Sequence, residues 1–175
     1  MYTPSSKEEQ KYLEEYDANK YKKPCVTVDL IAWCRKDDGL LSRVPFVLVV
    51  KRKNFPYKGC WAIPGGFLDV GKETTEHAAI RELKEETNII ARRPVLLNVY
   101  SDPNRDPRDH VISAVYTFCT TEEALSKRLA ADDAAEVALA RVYEDGTIKI
   151  GKHKYKNLAF DHQKILSDFY ERIEG

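Results

Sequence analysis

Glu82, Glu85 and Glu86 fall three and four residues apart in the stretch GGFLDVGKETTEHAAIRELKEETNI, which runs from Gly65 to Ile89. On a helix those offsets stack side chains on one face, where like charges cost roughly 0.2–0.5 kcal/mol per pair unless a cation sits among them. A hard divalent ion meets that need, because Mg2+ takes oxygen ligands, keeps several waters and bridges carboxylates to substrate phosphates. The acids therefore point to phosphate chemistry. A run of acids by itself is more often a solvated face, here with Arg81 and Lys84 as partners. The Gly-Gly turn and RELKEE together tip the balance to a metal site.

Pro64, Gly65 and Gly66 predict a tight bend, since proline fixes its own φ and glycine accepts positive φ at little steric cost. Thr74 or Thr75 caps the helix that follows, Ala78, Ala79 and Leu83 form its buried side, and Asn88 ends it in the left-handed position. Outside this stretch Arg52, Arg105 and Arg108 have the planar, bidentate donor geometry that phosphates call for. Arg105 leads that set. Arg105 and Arg108 also have acids beside them, Asp102, Asp106 and Asp109, with which they could pair within their own loop. Trp61 reads as core rather than a base-stacking residue, and Phe160 and His162 as packing and capping residues.

These side chains need a scaffold. Val26, Val28, Leu30 and Ala32 alternate along a first strand, a turn follows at Asp37, Asp38 and Gly39, and Phe46 to Val50 reads as a buried strand. Val95 to Tyr100 and Val111 to Phe118 are strands flanking a loop dense in turn formers, Thr121 to Leu129 a short helix, and Ala135 to Tyr143 a last strand. Residues 144 to 158 read as turn and loop. A closing helix, DHQKILSDFYERIEG, repeats Ile165, Leu166, Phe169 and Ile173 at helical spacing with Asp161 as its N-cap. This order of elements predicts an α/β layered domain with helices on both faces of a sheet. Residues 1–24 read as an appendage with a short helix over 6 to 16, and residues 25–175 as a single domain.

The chain has 175 residues, with 28 basic against 28 acidic side chains, so no global field favours nucleic acid or an anionic membrane. Its four cysteines fall at no metal-ligand spacing. Cys25, Cys34 and Cys119 lie in apolar runs and read as small hydrophobes. No apolar stretch has spanning length and no secretory h-region opens the chain, which leads us to expect a cytoplasmic protein without membrane or nucleic-acid partners.

The stretch from Gly66 resembles the signature of the Nudix hydrolase family, usually written G-x5-E-x7-R-E-U-x-E-E-x-G-U. Gly66, Arg81, Glu82, Leu83, Glu85, Glu86 and Ile89 match it. Six residues rather than five separate Gly66 from Glu73, and Asn88 replaces the signature's glycine. Either Glu73 takes the upstream glutamate position across an enlarged loop or Lys72 occupies it. Glu73 is favoured because it keeps the seven-residue spacing to Arg81.

The resemblance implies a Nudix-like α/β/α sandwich with a mixed sheet and the acidic helix packed against it. It implies that Gly65, Glu73 and Arg81 are structural, with Glu73 and Arg81 an ion pair, and that Glu82, Glu85 and Glu86 hold Mg2+ or Mn2+. The general base would be Glu82 or a residue from a distant loop, for which Glu136, with Asp132 and Asp133 behind it, is the candidate. Glu82, Glu86 and Glu136 are thus the expected catalytic set, and Arg52, Gly66, Arg105 and Arg108 the expected substrate-binding set.

The flanks KRKNFPYKGCWAIPGGFLD, SDPNRDPRDHVIS and LAFDHQKIL are similar to the ADP-ribose pyrophosphatase branch. That likeness implies a small nucleotide substrate, with ADP-ribose split to AMP and ribose 5-phosphate. Two alternatives stand beside it: a Nudix hydrolase of oxidised nucleoside triphosphates or dinucleotide polyphosphates, and a non-catalytic ADP-ribose-sensing module. Regulators of the latter kind carry a winged helix after the AFDH-like segment, and with the sequence ending at Gly175 the expectation leans to the enzyme. The family often dimerises, and residues 2 to 24 offer a surface for a homodimer.

Overall fold

A computed structural model describes residues 2–37, 39, 43–127 and 134–175. Asp132 and Asp133, the second residue of the turn at Asp38, and the last residues of the helix expected to reach Leu129 lie outside the described residues.

The sheet is organised around β1 (Cys25–Lys36), which runs parallel to β6 (Val111–Cys119) along one edge. Its other edge is shared between two antiparallel partners. The Trp33–Lys36 end pairs with β2 (Val44–Arg52), and the Thr27–Asp29 end pairs with β4 (Gly65–Phe67). Further strands complete the order β5-β6-β1-β2-β7-β8-β9, with β5 at Val95–Tyr100, β7 at Ala134–Val142, β8 at Ile148–Ile150 and β9 at His153–Tyr155. The short β3 (Trp61–Ala62) pairs with β2 at Val50 and Lys51, on the edge opposite β7. One parallel pair among antiparallel ones makes the sheet mixed.

Alternation along β1 and β2 divides the core. Val28, Leu30, Ala32 and Leu48 face one side, where helix α2 (Thr75–Thr87) buries Ala78, Ala79 and Leu83. Ile31, Val47 and Val49 face the other, where the terminal helix α4 (His162–Glu174) buries Ile165, Leu166 and Phe169. Full burial of a leucine, isoleucine or phenylalanine side chain is worth about 1.5–3 kcal/mol, so apolar contact fastens the two helices to opposite faces. Helix α1 (Lys7–Glu15) is capped by Ser6 and buries none of its residues. Helix α3 (Glu122–Ser126) contributes Leu125 to the α2 side.

Three expectations need correction. Residues 144 to 158 contain the hairpin β8–β9, turned at Gly151 with φ 57 and anchored by fully buried Ile148. Strands of three residues are too short to show a period-two pattern. Cys25 and Cys119 are exposed, and Cys34 alone behaves as a buried hydrophobe. Asp161 stands at the start of α4 but its side chain makes no capping hydrogen bond, because it is engaged with Arg105.

Candidate functional site

Because β4 pairs with β1, Gly65 lies opposite Asp29 and Gly66 opposite Val28. A Cβ at Gly65 would stand 2.2 Å from the Val28 carbonyl oxygen, and one at Gly66 2.5 Å from the Glu82 carboxyl carbon. Close approach therefore explains both glycines. Positive φ, the expected reason, does not, since neither is among the residues in the left-handed region. The turn then hands its Gly65 N–H to Glu86 Oε2 at 3.1 Å, tying the glycine strand to the last acid of α2.

Helix α2 begins at the Thr74 cap, whose side chain accepts the His77 N–H, and ends at Asn88 with φ 60, as the spacing predicts. Arg81 organises its acidic face. Its Nε and Nη2 donate to Glu73 Oε2 and Oε1 at 3.1 and 2.6 Å, and its Nη1 donates to Glu82 Oε1 at 2.7 Å and Glu85 Oε2 at 3.0 Å. Lys72 instead reaches Asp69 at 3.4 Å, and Gly71 at φ 78 lets the loop absorb the extra residue. Hydrogen bonding to Arg81, and to the Asp69 N–H, holds Glu73 down at about 2.

Glu86 is the contrasting acid. Burial pushes it up to about 8, against the Gly65 N–H bond, and the charges of Glu82 and Asp29 add to the rise. Burial likewise raises Glu82, with Arg81 opposing. Among the described residues no three acids, histidines or cysteines stand arranged as a ready metal cage. The donor chemistry nevertheless fits a hard cation. Carboxylates repelling one another around one partly enclosed cleft are stabilised by a divalent ion as by little else, and all the donors are oxygen.

That cleft has a volume of about 360 Å3 and is lined by the acids Asp29, Glu82, Glu85 and Glu86 together with Arg52, Lys53, Arg105 and Arg108. Gly65 and Gly66 also line it, so the structure brings together every expected site residue except Glu73, Arg81 and Glu136. Glu73 and Arg81 brace the α2 acids from behind. Glu136 sits on β7 opposite Lys51, exposed and 3.5 Å from its Nζ, and is not among the lining residues.

Arg105 is buried and pairs side-on with Asp161, Nε to Oδ2 at 2.9 Å and Nη2 to Oδ1 at 2.7 Å, not with the acids of its own loop. Arg108 does take a loop partner, Asp106, through Nε at 3.0 Å and Nη2 at 2.7 Å.

Several lining residues were not singled out for the site from sequence, Asp29, His162 and Phe160 among them. Asp29 is a buried carboxylate on β1 that accepts Ser113 Oγ at 2.5 Å and lies 3.5 Å from His162 Nε2. Its charge in an otherwise apolar strand was the available signal. His162 Nδ1 accepts the Ile63 N–H at 2.9 Å, so the ring carries its proton on Nε2, and burial lowers its pKa despite Asp29. Phe160 lies beside it in the cleft. Trp61 is core, as expected.

A concave site of this size, with acids and guanidiniums converging on it, has the chemistry to hold a small phosphorylated molecule. The family follows from comparison with known proteins: the NUDIX domain model matches residues 24–168, and the chain belongs to the Nudix hydrolases. It is 39% identical over 94% of its length to the ADP-ribose pyrophosphatase of Methanocaldococcus jannaschii, spanning 86% of that protein. It is 31% identical over 95% of its length to the ADPR responsive transcriptional repressor NtrR of Acinetobacter baylyi, of which it spans 61%.

The fold agrees with this kinship. A MutT/nudix family protein from Enterococcus faecalis superposes with a TM-score of 0.83 over 97% of this chain and 70% of the other, at 29% identity. The NUDIX domain of Shewanella oneidensis NrtR, solved with ADP ribose, gives 0.73 over 94% and 97% at 25% identity. Among the described residues no helix is long and apolar enough to cross a membrane.

Proposed function

We propose that this Nudix hydrolase splits the diphosphate of ADP-ribose, giving AMP and ribose 5-phosphate, with Mg2+ or Mn2+ held by Glu82, Glu85 and Glu86. The observation that carries the reading is the pairing, in one cleft, of the α2 acids with Arg52, Arg105 and Arg108. A diphosphate bridging two sugars needs cations along its length, and guanidiniums supply them in planar, directional form. The kinship with an archaeal ADP-ribose pyrophosphatase at 39% identity supports the choice of substrate.

A divalent ion bound among the acids would neutralise diphosphate oxygens and lower the pKa of an attacking water. The chain's own residues do the rest. Gly66, lacking a Cβ, lets ligand and Glu82 come close to the strand backbone. Arg81 fixes Glu82 and Glu85 from behind, and the Gly65 N–H fixes Glu86. Glu82 is the better-placed proton acceptor, since it lines the cleft and Glu136 does not.

Chromatography of products from ADP-ribose, NADH, diadenosine polyphosphates and 8-oxo-dGTP, each with Mg2+, tests this. AMP and ribose 5-phosphate should dominate. Preference for a triphosphate would overturn the substrate, and ADP-ribose bound but recovered intact would leave a sensing module, the role that the repressor relatives suggest.

A further inference from the structure

Three consecutive residues at the start of α4 each hold a different part of the cleft. The Phe160 ring centroid lies 5.0 Å from the guanidinium carbon of Arg52 and 5.6 Å from that of Arg108. Asp161 grips Arg105 through both oxygens, and His162 receives the Ile63 N–H beside the glycine turn.

Local conformation is sacrificed to achieve this. Phe160 has φ 52, in the left-handed region that bulky side chains avoid, and it packs edge-on against Tyr57, itself at φ 60, with ring centroids 4.9 Å apart. Asp161, at the N-cap position, forgoes capping. Adjacent departures of this kind concentrate where a site over-determines the backbone. Arg108 meets a second ring, Phe67, at 5.0 Å, while its pair with Asp106 uses Nε and Nη2, which leaves Nη1 for a ligand. Arg52 Nε is fixed to the Pro56 carbonyl at 2.9 Å.

We propose that Phe160 is a positioning residue whose ring sets the planes of the Arg52 and Arg108 guanidiniums for gripping a diphosphate. This rests on the diphosphate reading of the cleft and adds a specific source of affinity. A guanidinium against an aromatic face keeps its charge and outer donors while losing rotational freedom before the ligand arrives, so less is lost on binding. A side chain that merely filled space against Val50, Ala62 and Ala159 would do none of this.

Steady-state kinetics with ADP-ribose and Mg2+ on Phe160→Leu, Phe160→Tyr, Arg108→Ala and the Phe160→Leu/Arg108→Ala double variant test the proposal. Phe160→Leu keeps apolar volume but has no ring. Its KM should rise about tenfold, between the scales of an exposed and a desolvated cation–π contact, with kcat and Tm nearly unchanged. Phe160→Tyr should retain the wild-type KM, and in the Arg108→Ala background the leucine should raise KM by clearly less than tenfold.

An unchanged KM in Phe160→Leu, or an equal rise with and without Arg108, would overturn the platform. If Phe160→Leu does not fold, Phe160→Met carries the same comparison. A wild type that neither binds nor splits ADP-ribose would overturn the diphosphate reading and this proposal with it, whereas an active wild type with an unaffected leucine variant removes the platform alone.

Discussion

Glu73 holds Arg81 through both carboxylate oxygens, at 2.6 and 3.1 Å, across a loop one residue longer than the family signature allows. The same guanidinium then reaches Glu82 and Glu85, so the enlarged loop is linked to two acids of the cleft through a single side chain.

The pair has a pH signature. Glu73 is held at about 2 against an ordinary 4.5, first by Arg81 and then by the Asp69 N–H. An acid depressed by folding adds stability that is complete above its unfolded value and lost as pH falls through the folded one. The Tm difference between wild type and Glu73→Gln should therefore be constant above 4.5 and close as pH approaches 2. A difference that ignores pH over that window, followed by circular dichroism, would show that the pair contributes nothing.

The two glycines should separate under substitution. A methyl at Gly65 meets backbone, the Val28 carbonyl at 2.2 Å, which cannot yield. Gly65→Ala should cost roughly 1–3 kcal/mol of stability in urea titration. A methyl at Gly66 meets the Glu82 carboxylate at 2.5 Å, a side chain that can turn away. Gly66→Ala should keep most of its stability and lose turnover on the order of a hundredfold, as displaced catalytic groups do. Equal stability losses in the two variants would contradict this division.

What was legible in the sequence follows the length of its signals. Helix α2 was readable end to end because its cap, its buried face and Asn88 each have a local cause within or immediately beside its thirteen residues. The paired carboxylate of Arg81 was readable through the family signature, whose seven-residue spacing Glu73 keeps. By contrast, the reason for Gly65 lies in β1, and only pairing with Asp29 reveals it. Asp161 looked like a cap because capping is a local rule, yet its partner Arg105 is fifty-six residues away. Asp29 and His162 were hidden for the same reason, each reading as an ordinary strand or helix-end residue until the fold set them together.

Glu86 should report metal directly. Its carboxyl stands at about 8 because burial, Glu82 and Asp29 all oppose its charge, so glutamine resembles its metal-free form below that pH. With chelator present, Glu86→Gln should be at least as stable as wild type. Adding Mg2+ should raise the wild-type Tm and leave the variant's unchanged, and turnover should fall on the order of a hundredfold or more. A variant whose Tm still rises with Mg2+ would place the ion elsewhere.

Asp161 offers a test of partner against cap. Arg105 is 4% exposed at its side chain, so removing its carboxylate leaves a buried guanidinium without its side-on counterion. Loss of one member of a buried pair costs about 3–5 kcal/mol, whereas loss of an N-cap costs about 1 kcal/mol and is restored by serine. Asp161→Asn should therefore be strongly destabilised in urea titration, and Asp161→Ser, an excellent cap, should be no better. Because Asp161 neighbours both Phe160 and His162, the asparagine variant should also bind nucleotide more weakly than its remaining folded fraction accounts for. Serine restoring wild-type stability would return Asp161 to the capping role and leave Arg105 held by burial alone.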